Sequence, residues 1–390
     1  MVARAGAAAN NMQRIAISPR RDWQKTVEDL GLIWHTLADG KPYWNESAYY
    51  RFSASQVDTL EAATAELYRI CMEAGQHVID NNLFARFGIP DFMVPIIRRS
   101  WNEEPPALNH GRFDLGYDGI RPPKLFEYNC DTPTSMLEAA VIQWDWKESV
   151  FPKSDQFNSL HDKLLAKWKD IVPYLKGGRV HFGHVDDTAG EDTLTVAYLR
   201  DLAEQVGLKT TGIFMRDIGW NDTARRFVDL DSYPIDVLFH LYPWEWLVKE
   251  QFGPYIADSD ATMGWIEPPW KMMLSNKAIL PVLWELFPNH PNLLPAYFEP
   301  KGAKYVKKPL LSREGANLTI VKDGATIAGT DDGASPEGYI YQELYDLPNF
   351  GSNRPVIGSW VVDGAPAGMG IREDDLITGN TARFVPHVFE

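Results

Sequence analysis

Gly111-Arg112-Phe113-Asp114-Leu115-Gly116-Tyr117-Asp118, followed by Lys124-Leu125-Phe126-Glu127-Tyr128-Asn129-Cys130-Asp131, decides how the rest of the chain is read. Both runs alternate as strands do. Gly119 and Pro122-Pro123 between them suit a reversal, so the strands pair as a hairpin. Arg112 and Asp114 are two apart and share a face, as do Glu127 and Asn129. In register, one patch then holds two carboxylates, an amide oxygen and a guanidinium. Phe113, Phe126 and Tyr128 are expected to point the other way, into the core. Hard oxygen ligands suit a magnesium ion that also holds phosphates. The planar fork of Arg112 suits a phosphate oxygen. A solvated sheet face with a surface ion pair meets the same spacing.

Outward from the hairpin, 179–214 reads as strand, helix, strand. Val180, Phe182 and Val185 open it, Leu194, Tyr198, Leu202 and Val206 form a helical stripe, and Gly207 stops the helix. A further strand is expected over 234–239, and this alternation implies a parallel α/β lobe. Before the hairpin, 56–80 reads as an amphipathic helix with its start at Ser55 and a stripe of Leu60, Leu67, Ile70, Cys71 and Ala74. Another helix is expected over 276–287. From Lys304 onward, short strands between Gly and Asp clusters suggest an antiparallel sheet. The fold class expected is mixed α/β.

Three further groups carry chemistry. Tyr305-Val306-Lys307-Lys308-Pro309-Leu310-Leu311-Ser312-Arg313-Glu314-Gly315 reads as a strand and a turn that can fold over a triphosphate, lysine supplying point charge and glycine close backbone approach. Lys277 stands at the expected helix start, unfavourable for the macrodipole unless an anion binds there. Tyr339-Ile340-Tyr341-Gln342-Glu343-Leu344 ends an apolar strand in polar residues able to hold an adenine edge, and Arg372 could meet a transferring phosphoryl group. Taken singly, the first also reads as an ordinary hairpin, Lys277 reads equally well as a surface lysine, and the last two read better as a strand end and a surface arginine. The two lysines are expected to be partly exposed, so that truncating them costs little stability.

Bulk properties exclude some classes. A formal net charge of −15 and the absence of a Lys/Arg-rich block argue against nucleic acid and an anionic membrane face as partners, and leave a cationic co-substrate open. No apolar run is long enough to span a bilayer. Only Cys71 and Cys130 are present, so there is no disulfide framework and the cytoplasm is the expected setting. Neither cysteine is placed as a nucleophile.

Taken in order, these segments resemble the synthetase part of the glutathionylspermidine synthase family, of the ATP-grasp ligase fold, over about 23–386. The most specific pieces are RFD at 112–114, FEYNCDTPTS at 126–135, SNKAILPVLWEL at 275–286 and YVKKPLLSREGANL at 305–318, with YIYQEL and GIRED following. The resemblance implies an ATP- and Mg2+-dependent ligase joining a small-molecule acid to an amine through an acyl phosphate. Asp114, Glu127 and Asn129 would hold magnesium, and Arg112 would contact the phosphates. Lys277, Lys308, Glu314 and Gly315 would bind ATP, Gln342, Glu343 and Leu344 would line the adenine, and Arg372 would stabilise the transition state. Thr132 and Glu191 stand where the family contacts glutathione. Trp246 falls where the family has a small hydroxyl residue, and its indole is expected to crowd a glutathione-shaped pocket. The acid is therefore expected to be another small peptide or carboxylic acid.

A flexible tail over 1–14 and one ligase unit over 15–390 are expected, with an α/β lobe at about 178–260, an ATP-binding lobe at about 270–390 and no amidase domain. A nucleotide-binding protein without turnover is the alternative. Loss of a metal ligand or a phosphate-binding lysine would mark it, and all are present. The residues specify neither the acid, the amine nor the oligomeric state.

Overall fold

A computed structural model describes residues 12–187, 190–313, 315–330, 335–379 and 382–390. The hairpin forms between strands His110–Gly116 and Lys124–Asn129, antiparallel, with Arg112 opposite Asn129 and Asp114 opposite Glu127. Phe113 and Tyr128 stack at 4.0 Å in the core. Phe126 does not join them. The register slips between Asp114 and Leu115, pairing Leu115 with Leu125 and leaving Phe126 as the extra residue of a bulge, turned toward the cleft.

Strand Arg354–Val362 pairs with the other edge of His110–Gly116. Ala365–Asp374 and then Arg383–Val385 complete an antiparallel sheet of five. Gly358 lies across from Asp114, and a Cβ there would come within 2.7 Å of the Arg112 side chain. Helix Ala54–Asp80 packs on this sheet through the expected stripe, all of it buried. It starts earlier than Ser55: the Ser53 hydroxyl accepts from Gln56 N, and Gln56 Oε1 accepts from Ser53 N.

The α/β lobe is a parallel sheet of four, ordered Gly264–Ile266, Val237–Leu241, Arg179–His184 and Lys209–Phe214, with helix Glu191–Gln205 as one crossover. A third, antiparallel sheet runs Ala296–Tyr297, Tyr339–Glu343, Tyr305–Pro309, Thr319–Lys322, Ala325–Gly329. The strands of 354–385 pair with the hairpin rather than with this third sheet. The region expected as one ATP-binding lobe over about 270–390 is thus shared between two sheets, with the cleft between them. Of the expected tail, residues 1–11 lie outside the described residues. Gln13 and Arg14 are in strand Gln13–Ala16, where Arg14 bonds Glu373 at 2.7 Å. Among the described residues no helix is long and apolar enough to cross a membrane.

Candidate active site

A cavity of about 1430 Å³, open mouth included, lies where the hairpin sheet, the third sheet and the 243–245 turn of the α/β lobe meet. On its floor Asp114 is buried between two arginines. It accepts from Arg112 Nε at 2.6 Å and from Arg372 Nη2 at 2.6 Å, although Arg372 is 258 residues away in sequence. Arg112 is fixed in turn by Nη1 donating to Thr134 O at 2.8 Å. Glu127 pairs with Lys277 Nζ at 3.0 Å and accepts from Asn129 Nδ2 at 3.0 Å. Burial pushes the Glu127 carboxyl up, but Lys277 and Lys308 outweigh it and hold it far below the usual range.

Both lysines are buried, against the expectation of partial exposure. Lys308 Nζ donates to Phe126 O at 2.9 Å and to Gln342 Oε1 at 2.7 Å, and Gln342 Nε2 reaches Leu125 O at 2.9 Å. Burial first, and Lys277 as well, lower Lys308 to about 8, although Glu127 opposes the shift. Lys277 Nζ donates to Ser312 O at 2.9 Å. It does not begin a helix: the expected 276–287 helix is Ile279–Leu286, and the backbone N–H of Lys277 bonds Leu310 O instead. That bond sets the lysine beside the 310–315 loop rather than on a helix dipole.

Gln342, Glu343 and Leu344 line the cavity at its third-sheet wall, Gln342 buried and Glu343 exposed. Gly315 has φ +73°, and a Cβ there would meet Ile377 Cγ2 at 3.0 Å and Thr378 O at 3.1 Å. Glu314 lies outside the described residues. Thr132 lines the cavity as well. Glu191, the first residue of its helix, does not line the cavity; its charge acts on Arg112 and Glu138.

Trp246 does not crowd the site. In the helical turn Trp244–Leu247, Trp244 is driven inward and fully buried, Glu245 faces the cavity, and Trp246 is 42 % exposed against Tyr242. Sequence reading missed Asp131, Glu245 and Arg313, which also line the cavity. Asp131 and Arg313 sit inside quoted runs and Glu245 stands beside Trp246, but nothing in their spacing told them from their neighbours. Burial raises Asp131 to about 7, with Glu267 adding to it against the Trp244 N–H bond. It raises Glu245 to about 7 as well, with Asp131 adding to that shift.

Among the described residues no three His, Cys, Asp or Glu side chains gather as a metal cluster. Two carboxylates and an amide do gather: Asn129 Nδ2 is 3.0 Å from Glu127 and 3.5 Å from Asp114. That donor set fits magnesium, which takes one or two carboxylates and completes its shell with water and phosphate oxygens. Arg112 and Arg372 bond Asp114, and Lys277 and Lys308 act on Glu127, so four cations converge on this pair of carboxylates, an arrangement suited to a polyphosphate.

A cleft between sheets with this charge pattern suits a polyphosphate held through magnesium. The family model described as glutathionylspermidine synthase preATP-grasp matches residues 14–390, and the chain belongs to that family. It is similar, at 38 % identity over 97 % of its length and all of the relative's, to a Haemophilus influenzae protein whose name proposes an acid–amine ligase. It is 32 % identical to the trypanothione synthetase of Crithidia fasciculata and 28 % identical to the bifunctional glutathionylspermidine synthetase/amidase of Escherichia coli. These matches cover 82 % and 84 % of the chain but only 53 % and 57 % of those longer proteins. A glutathione synthetase-like effector from Globodera pallida shares the fold, with a TM-score of 0.57 at 11 % identity over 94 % of this chain and 96 % of that one. The protein is an ATP-dependent enzyme of the acid–amine ligase class, forming a carbon–nitrogen bond.

Proposed function

We propose that the chain activates a small carboxylic acid as its acyl phosphate and passes the acyl group to an amine. The observation that carries this is the convergence of four buried or half-buried cations on the Asp114–Glu127 pair, set between two sheets. Phosphoryl transfer needs positioning and charge stabilisation rather than a protein nucleophile. Both cysteines are buried with thiols pushed up by burial, so neither serves as one.

Asp114, Glu127 and Asn129 would hold magnesium, which neutralises charge on the phosphates. Lys277 and Lys308, both acting on Glu127, hold the phosphate chain. Gln342, Glu343 and Leu344 receive the adenine edge, and the turn at Gly315 closes over the nucleotide with Glu314. Arg112 orients the reacting phosphate, and Arg372 stabilises the charge that develops on it. Thr132 contacts the acid. With the indole of Trp246 turned outward, the cavity admits a peptide-sized acid, and bulk at that position does not exclude glutathione. The cytoplasm, where both thiols stay reduced, is the setting we assign.

The test is phosphate release from ATP with magnesium across paired acids and amines, peptides and polyamines included, with the conjugate read by mass spectrometry. Amine-dependent release and a product of the summed mass less water is the result expected. Nucleotide binding without release for any pair would make the chain a nucleotide-binding protein of the same fold.

A further inference from the structure

Strand Arg354–Val362 is the middle of the five-stranded sheet. It lies between the strand that carries Arg112 and Asp114 and the strand that carries Arg372. Gly358 stands opposite Asp114 in its register, and Trp360 opposite Arg112. Residues paired across neighbouring strands share a face, so these four belong to one patch. Straight across from Arg112 stands the fully buried Trp360, its ring centre 5.8 Å from the guanidinium carbon. The arm leans along the strand instead and lies over Gly358. A Cβ on Gly358 would come within 2.7 Å of Arg112 Cδ and within 3.3 Å of both Cγ and Nε.

The backbone beneath the arm is held in place. The strand is paired along both edges. Its other face is pinned to helix Ala54–Asp80, where Ser359 Oγ lies 2.6 Å from Thr64 Oγ1. The arm above is fixed as well: Arg112 Nε donates to Asp114 Oδ1 at 2.6 Å and Nη1 to Thr134 O at 2.8 Å. Packed interiors absorb added volume only by moving side chains off their places. A methyl group at position 358 therefore displaces the arginine, and both of its bonds depend on where Cδ lies. The φ of Gly358 is not positive, so backbone conformation does not call for glycine there. The close approach of Arg112 does.

We propose that Gly358 is a positioning residue of the reaction. Its missing side chain opens the lane along which Arg112 reaches Asp114 and Thr134 O, and so sets the guanidinium that orients the reacting phosphate. Trp360 closes the other lane, and the two residues together fix the direction of the arm. This rests on the ligase reading above.

The experiment is a double-mutant cycle on the full chain, with Gly358→Ala, Arg112→Ala and the two combined. Calorimetry with a non-hydrolysable ATP analogue and magnesium reads affinity, and urea unfolding reads stability. Gly358→Ala should weaken the analogue about tenfold, nearly as much as Arg112→Ala, as for loss of a charged hydrogen bond. The combined variant should bind no more weakly than Arg112→Ala alone, because the methyl group then fills space that the arginine has left. For the same reason Gly358→Ala should lower the urea midpoint of the parent and not that of Arg112→Ala. Losses that add in either measurement would make Gly358 an ordinary packing position, and unchanged affinity in Gly358→Ala would show that Arg112 needs no such lane; each result overturns the proposal. If Gly358→Ala alone does not fold, recovery of the fold in the combined variant supports the contact and its failure overturns it. Absence of analogue binding in the parent condemns the ligase reading, and the urea cycle then decides the contact by itself.

Discussion

The two ends of one cavity are built on opposite principles. At the nucleotide end every cation already has a partner: Lys277 holds Ser312 O and Glu127, Lys308 holds Phe126 O and Gln342, and Arg112 and Arg372 clamp Asp114. Elsewhere in the cavity Asp131 Oδ1 has no hydrogen-bond partner among the described residues, and Arg313 acts on Asp131 and Glu245 only through its charge. The first end is preorganised, so a phosphate finds its donors fixed and little reorganisation follows. At the second, burial raises Asp131 and Glu245 to about 7, and Arg313 opposes the shift of both.

The sharpest way to break this contrast is at Arg372. Arg372→Ala should lower turnover about a hundredfold to a thousandfold while nucleotide affinity moves far less, as for loss of one preorganised donor. Steady-state rates beside calorimetric affinities decide it. An equal loss in both would make Arg372 a ground-state contact. Next in size, Lys308→Ala and Lys277→Ala should weaken the nucleotide about tenfold to a hundredfold, the range for a charged hydrogen bond. Each should also cost stability, about 1–3 kcal/mol in urea unfolding, because Lys308 leaves Phe126 O and Gln342 Oε1 unpaired and Lys277 leaves Glu127 short of a cation. Unchanged stability would mean that these lysines are not the buried anchors seen here.

A smaller effect sharpens the comparison through pH. The empty site holds Lys308 at about 8, and a bound phosphate favours the ammonium form. Below that pH the lysine is already charged. Above it, binding must take up a proton, so nucleotide affinity should fall as pH rises through about 8. Binding heats at about pH 9, above the lysine's titration, should then vary with buffer ionisation enthalpy, and heats that do not vary would place that titration elsewhere. The smallest effect is expected at Gly315→Ala. Its positive φ and the 3.0 Å approach to Ile377 should cost roughly 1 kcal/mol and weaken nucleotide binding severalfold. Hydrogen exchange over 310–318 should slow in the parent when the ATP analogue is added, and slow less in the variant.

Local spacing carried a good part of the site. Alternation along two short runs placed Arg112, Asp114, Glu127 and Asn129 on one patch, and the hairpin forms in that register. The stripe of helix Ala54–Asp80 and the alternation of the parallel lobe were legible for the same reason: periods of about 3.6 and 2 state which face a residue takes. The order of motifs carried the family and with it the reaction class.

What spacing could not state is which distant segment a face meets. Arg372 reaches Asp114 because Arg354–Val362 lies between their strands, a matter of sheet order. One bulge residue turned Phe126 out of the core and into the cleft, since an extra residue in a strand reverses the alternation beyond it. A single helical turn put Glu245 inside and Trp246 outside, because burying Trp244 fixed the rotation of its neighbours. The sequence by itself determined the residues, their local faces and the chemistry they can do together. Tertiary structure alone decided which charges are paired, which are buried and which still lack a partner, because those depend on contacts between segments far apart in the chain.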